Sequence, residues 1–322
     1  MMYLFSFFIS LLASPPIHTS DIYEQIREVR IDTPLFRDIR RIEVFNEEKF
    51  ALFDFASHSI VVIDTTGKPI ATLGRQGSGP GEFRRISDFT VIGDVVYVYD
   101  QSNLKISAFR SDGHFITEFR VNKKAFHMTS DGRSLFLYYT MDIHVSEPLI
   151  YQLDRQSGRL FSEFGNPSPL LLEMRTGTTG IYRSIAASRT SICATHPYEY
   201  AINCYDEDGN SPRIISGKAA EFKKPRPEHF YRESRIQAIT HITTGLFSHA
   251  DTLYLLYRNQ ENDNNFMDIY NLSGTLSYGA LIDDLQLRHI DSKTGIALSV
   301  ETISTPNEDY TSLKLYKRVV PK

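Results

Sequence analysis

An excess of charge is the first thing missing from this sequence: over 322 residues, 35 Lys and Arg stand against 39 Asp and Glu, a formal net charge of −4. No basic field is available to hold a phosphate backbone, which excludes nucleic acid as a partner. Beyond the first dozen residues there is no apolar run near the length a membrane helix needs, so no integral membrane segment is expected in the mature chain. Cysteine is almost absent, with only Cys193 and Cys204, and the N-terminal region therefore holds no cysteine to acylate. Helical spacing of apolar residues is also nearly missing. Motifs that carry chemistry are absent as well: no H-E-x-x-H, no G-x-S-x-G and no phosphate-binding G-x-x-x-x-G-K-[ST]. Neither Asp/Asn cluster, DEDGN (206–210) or NQENDNN (259–265), has the spacing of a calcium loop; both read as solvated hairpin tips. No catalytic residue, metal ligand or cofactor is assigned on these grounds.

What is present begins with Met1 to Ala13, an uncharged apolar stretch followed by SPPIHTS; the first Lys or Arg is Arg27. This pattern fits the core and exit of a secretory signal peptide over residues 1–20, leaving a mature chain of 21–322 that is periplasmic or secreted. A buried N-terminal strand is the alternative.

From Asp21 onward the apolar residues alternate with period two in short runs rich in Val, Ile, Tyr, Phe and Thr, the signature of strands. Gly-containing turns recur at Gly67, Gly113, Gly158, Gly209 and Gly274, separated by 46, 45, 51 and 65 residues. Upstream of each turn lies a hairpin, beginning with FALFDFASHSIVVID and VVYVYDQSNLKISAF, and a sixth hairpin ends the chain without its own outer strand. The unassigned alternating segment from Glu24 to Asp32 can supply that strand by pairing with Tyr310 to Arg318. The expectation is an all-β fold: a six-bladed β-propeller of four-stranded antiparallel blades, closed by its N-terminal strand.

GRQGSGPGEF (Gly74 to Phe83), a following strand, and then VVYVYDQSNLKISAF and SDGHF resemble an NHL-type repeat of the six-bladed propellers common among exported bacterial proteins. The resemblance spans Phe36 to Phe119 and includes Asp54 and Asp100, each just after a second strand; later blades lack that Asp. It implies the propeller fold, which hosts scaffolds, sensors and enzymes alike. The Gly74 to Gly81 loop itself reads as a connection between blades, with no helix after it to make a phosphate site.

Inner strands of a propeller line its central tunnel, where side chains of different blades converge without any linear motif. Arg41, Asp88, His127, Arg183, His241 and His289 occupy such places and form the candidate ligand-binding set at the tunnel mouth; polar side chains that merely hydrate a tunnel are the competing reading. Longer insertions at Tyr139 to Pro148, Arg258 to Phe266, Glu301 to Tyr310, Gly165 to Arg183 and Gly217 to Arg235 fall on one face, where long loops tend to carry function. Two functions fit. One is an exported, non-catalytic propeller that binds a protein, peptide or glycan. The other is a metal-dependent enzyme of the lactonase or lyase type at the tunnel mouth. Arg41 and Arg183 would repel a metal and attract anions, which favours the first. Finally, Cys193 and Cys204 flank the fourth hairpin in a register that sets them opposite each other, so they form either a disulfide or two packed thiols.

Overall fold

Strands that are apolar at nearly every position need cover on both faces, and stacked blades provide it. The computed structural model of the chain describes residues 19–31, 36–45, 48–139, 148–167, 169, 183–188, 190–196, 198–210, 212–216, 222, 241–262, 264–282, 287–304 and 309–319. One helical turn, α1 (Thr19–Ile22), leads into β1 (Tyr23–Ile31). The first blade is β2 (Ile39–Val44), β3 (Lys49–Asp54), β4 (Ser59–Asp64) and β5 (Pro69–Leu73). A short parallel pair, β6 (Arg75–Gln76) and β7 (Glu82–Phe83), ties off the connection to the second blade. That blade is β8 (Ile86–Ile92), β9 (Val95–Asp100), β10 (Lys105–Arg110) and β11 (Phe115–Arg120).

The third blade comprises β12 (His127–Ser130), β13 (Ser134–Tyr138), β14 (Ile150–Asp154) and β15 (Leu160–Phe164). The fourth comprises β16 (Ile185–Ala187), β17 (Ile192–Thr195), β18 (Ile202–Tyr205) and β19 (Arg213–Ile215). The fifth comprises β20 (His241–His249), β21 (Thr252–Asn259), β22 (Asn265–Asn271) and β23 (Leu276–Ile282). The sixth takes β24 (Leu287–Ile290), β25 (Ala297–Ser304) and β26 (Asp309–Arg318) from the end of the chain and its outer strand, β1, from the beginning. The fold is the all-β six-bladed propeller that the turn spacing implied.

Closure follows from the β1–β26 register, which runs antiparallel from Tyr23 opposite Arg318 to Ile31 opposite Thr311. A shift between Gln25 and Arg27 leaves Ile26 unpaired and 49% exposed. That bulge is why the alternation of this segment is irregular in sequence.

Six apolar clusters hold the ring together, one between each pair of neighbouring blades. Phe53 and Ile60 of the first blade pack with Phe89, Val96 and Phe109 of the second; Leu298 and Leu313 of the sixth pack with Ile42 and Leu52 of the first. The turn glycines serve the same contacts. Gly158 and Gly209 adopt φ +70° and +79°, and a Cβ on either would fall 2.0 Å from Phe119 or 2.3 Å from Phe164, on the outer strand of the preceding blade. The recurring glycine thus fits both a left-handed turn and the approach of the next blade.

Cys193 and Cys204 lie directly opposite each other in the β17–β18 pair, with Cα atoms 4.1 Å apart, and are joined as a disulfide. The Gly74 to Gly81 loop is filled from within: Glu82 accepts the Gly79 amide at 2.9 Å and pairs with Arg75 at 2.8 Å, and Lys105 donates to the Gly79 carbonyl at 2.7 Å. It is a structural connection. Two expected loops are shorter than expected, strand taking both of their ends. Pairing continues to Arg258 opposite Asn265 and to Ser304 opposite Asp309, because the backbone ladder persists after the side chains turn polar. The other expected insertions fall mainly on 140–147, 170–182, 217–221 and 223–240, and the proposed leader on 1–18, outside the described residues. No described helix is long and apolar enough to cross a membrane.

Candidate functional site

Inner strands β2, β8, β12, β16, β20 and β24 contact one another around the axis, and four of them carry the same irregularity in their first half. Register shifts skip Arg40, Ser87, Thr244 and Arg288, one in each of the first, second, fifth and sixth blades. Each skipped residue is a β-bulge, and a bulge re-aims side chains at the end of a strand. All four line one cavity of about 480 Å3, which opens where the inner strands start and the connections between blades arrive. Arg40 lies with its guanidinium 3.5 Å over the Phe55 ring and bonds Asp38. Arg85 is exposed on the same rim.

Asp54 and Asp100 set this rim. The carboxylate of Asp54 accepts the amides of Arg37 and Asp38; that of Asp100 accepts those of Arg84 and Arg85. Both are fully buried. Each therefore ties the end of a second strand to the segment entering its own blade, and so places Asp38 and Arg85 at the cavity.

Beneath the rim, Arg41, Asp88, His127, Arg183 and His289 come together. Arg41 Nη1 pairs with Asp88 Oδ1, and Nη2 donates to Glu43 Oε1 at 2.7 Å and to the Met128 carbonyl at 3.1 Å. Arg183, held by its parallel bridge to Gly245, reaches Glu43 Oε1 at 3.2 Å and His289 Nδ1 at 2.8 Å. Asp88 Oδ2 accepts the Met128 amide at 2.7 Å and lies 4.0 Å from His127 Nδ1. His241 begins β20 opposite Asn259; its side chain is outside the described residues. The expected set thus shares one buried network, save that His241 is placed only by its backbone.

Burial would raise the Glu43 carboxyl, but Arg183 and Arg41 outweigh it and hold the pKa at about 2. Burial wins at Asp88, raising it despite Arg41. For Arg41 the balance reverses: against burial, Asp88 and Glu43 raise it. Burial and the neighbouring Arg41 charge lower Arg183 to about 10. Burial, with Arg41 and Arg183 adding to it, takes His127 down to about 3. Burial likewise lowers His289 to about 4 against the pull of Glu43, and His196 to about 3. All three histidines are neutral at pH 7. Since a guanidinium only donates, His289 Nδ1 accepts, which puts its proton on Nε2.

Glu43 is the member that sequence reasoning missed, although it stands two residues after Arg41 in RRIEV and so shares its face of the strand. Its carboxylate, with that of Asp88, balances the two arginine charges whose attraction for anions the sequence suggested. The rim arginines Arg40, Arg85 and Arg288 carry the cationic character instead. Nothing in a period-two pattern distinguishes them: Arg40 and Arg288 sit on bulges, and Arg85 precedes its strand. Among the described residues no group of three or more His, Cys, Asp or Glu is placed to hold a metal ion.

Comparison with known proteins agrees with this architecture. A family designated DUF5128 and described as a 6-bladed beta-propeller matches residues 21–182. No curated protein sequence matches the chain. Among solved structures, a protein of Bacteroides fragilis called a "Putative exported protein" superimposes with a TM-score of 0.69 at 14% identity, over 94% of this chain and 97% of its own. A DUF4221 family member from Bacteroides vulgatus gives 0.62 at 10% identity, over 93% and 99%. At such identities the likeness concerns the fold.

Proposed function

The chain belongs to the DUF5128 family of six-bladed β-propellers, and on this scaffold we propose that it is an exported, non-catalytic binding protein that takes a protein, peptide or glycan on its loop-rich face. The observation that carries this reading is the rim: four bulges in the first halves of inner strands turn Arg40, Ser87, Thr244 and Arg288 into one cavity. Bulges re-aim side chains and concentrate beside functional sites. The cavity volume falls among those of ligand sites. A non-catalytic role is supported by the state of the groups below it. Glu43 is engaged by Arg41 and Arg183, and Asp88 by Arg41 and two backbone amides.

Export is supported by the apolar leader over residues 1–20 and the NHL-like repeat of the first two blades. The name of the Bacteroides fragilis neighbour and the Cys193–Cys204 pair, which an oxidising compartment keeps joined, point the same way. The test is a set of defined peptide, protein and glycan arrays probed with the wild-type chain and with Thr244→Trp, which fills the cavity. The reading expects a ligand that the wild type captures and Thr244→Trp loses at an unchanged melting temperature. Capture indifferent to the substitution would refute it.

A further inference from the structure

The floor of the cavity is closed. Arg183 meets Glu43 across the axis and Arg41 meets Asp88 of the neighbouring blade, so a ligand arriving at the rim presents an end and cannot thread through. Five arginines line the space against two carboxylates, Asp38 and Asp88. Counting Glu43 behind the floor still leaves a cationic pocket in a chain of net charge −4. An anionic group entering end-on fits this arrangement.

The walls decide which anion. Phe53, Phe55, Ile86, Phe126, Phe247 and Leu287 line the cavity and give it apolar walls beside its charged and polar groups. An apolar side chain beside the anion would gain from the same surfaces. A carboxylate next to an apolar side chain, at the end of a polymer, is the C-terminus of a peptide.

We infer that this cavity captures the free C-terminal carboxylate of a peptide or protein whose last residue is large and apolar. The inference rests on the binding reading above and names its ligand. The carboxylate meets Arg40, Arg85 and Arg288 at the rim, and the last side chain reaches inward to pack on the aromatic wall. This is recognition of a chain end by charge and donors, with specificity from one adjoining pocket.

Fluorescence anisotropy on the full chain tests it, using labelled peptides that end in Phe or Leu as free acids and as amides, alongside acidic oligosaccharides. The free acids bind, and amidation weakens binding by about tenfold or more, as loss of a charge-assisted bond does. Arg85→Ala, an exposed substitution that leaves the core untouched, weakens the free acids severalfold and flattens their salt dependence. Thr244→Trp abolishes binding. Equal affinity for acid and amide overturns the inference. Binding of acidic oligosaccharides alone, lost in Thr244→Trp, also overturns it while leaving the binding-face reading standing. Binding of neither class in a cavity-dependent way removes both.

Discussion

Arg183, at the start of the fourth blade, places Nη1 3.2 Å from Glu43 Oε1 of the first blade, so an ion pair joins opposite sides of the six-bladed ring. Arg41 adds bonds from the first blade to the second and third, at Asp88 and Met128. The tunnel is therefore sealed by charge, with two cations and two anions withdrawn from water together. Such a network is costly to assemble and more costly to leave half-made.

Glu43→Gln should show this cost. It leaves Arg41 and Arg183 buried with one carboxylate between them, and about 3–5 kcal/mol of stability should be lost. Urea denaturation measures it; a loss below about 1 kcal/mol would mean that the pair behaves as a solvated one.

Acid should weaken the fold through its buried neutral histidines. His196, held at about 3 by burial alone, stays neutral in the folded state while the unfolded chain takes up a proton below pH 6.5. A group lowered in this way contributes stability above the unfolded pKa that is lost as pH falls towards the folded one, at about 1.4 kcal/mol per pH unit. His127 and His289 act with the same sign. Asp268, raised to about 7 by burial beside Tyr200 and Tyr270, acts with the opposite one, adding stability as pH falls from 7 towards 4. Denaturation of the wild type and His196→Gln from pH 7 to 4 should show a shallower decline in the variant. Parallel curves would deny the burial of a neutral His196.

Ring closure can be tested by removing residues 1–32. Without β1, the strand β26 becomes an open edge and Val29 and Ile31 leave their cluster with Leu298 and Leu313. The melting temperature should drop by roughly 10 °C or more, since a loss of several kcal/mol at a few degrees each is involved, and association through the bare edge should appear. An unchanged melting temperature would contradict closure by the N-terminal strand.

Much of this fold was legible because a propeller repeats. Gly67, Gly113, Gly158, Gly209 and Gly274 mark successive blades, and in Gly158 and Gly209 the mark has a physical origin in the contact with the blade before. The tunnel residues Arg41, Asp88, His127 and His289 could be found from their place in inner strands. Glu43 was within reach by the same alternation. The rim was not: Arg40, Ser87, Thr244 and Arg288 sit on bulges, and a bulge inserts one residue that period-two reading assigns to the wrong face. Nor does periodicity show that the charges of Arg41 and Arg183 are met by partners from other blades.

The Cys193–Cys204 bond predicts that protein recovered from its native compartment is lighter by two hydrogens than the reduced form in an intact-mass measurement. Reduction should lower stability by about 3 kcal/mol or less, given the short loop it opens. Two free thiols in the native protein would refute the bond and weaken the case for export.

Hydrogen exchange of the full chain, alone and saturated with the best array ligand, tests the binding face most directly. Protection should concentrate at residues 38–41, 85–88, 126–128 and 287–289, where the inner strands begin around the cavity. Protection centred instead on the outer strands or on the opposite turns near Gly67 and Gly113, with the cavity segments unchanged, would contradict the account.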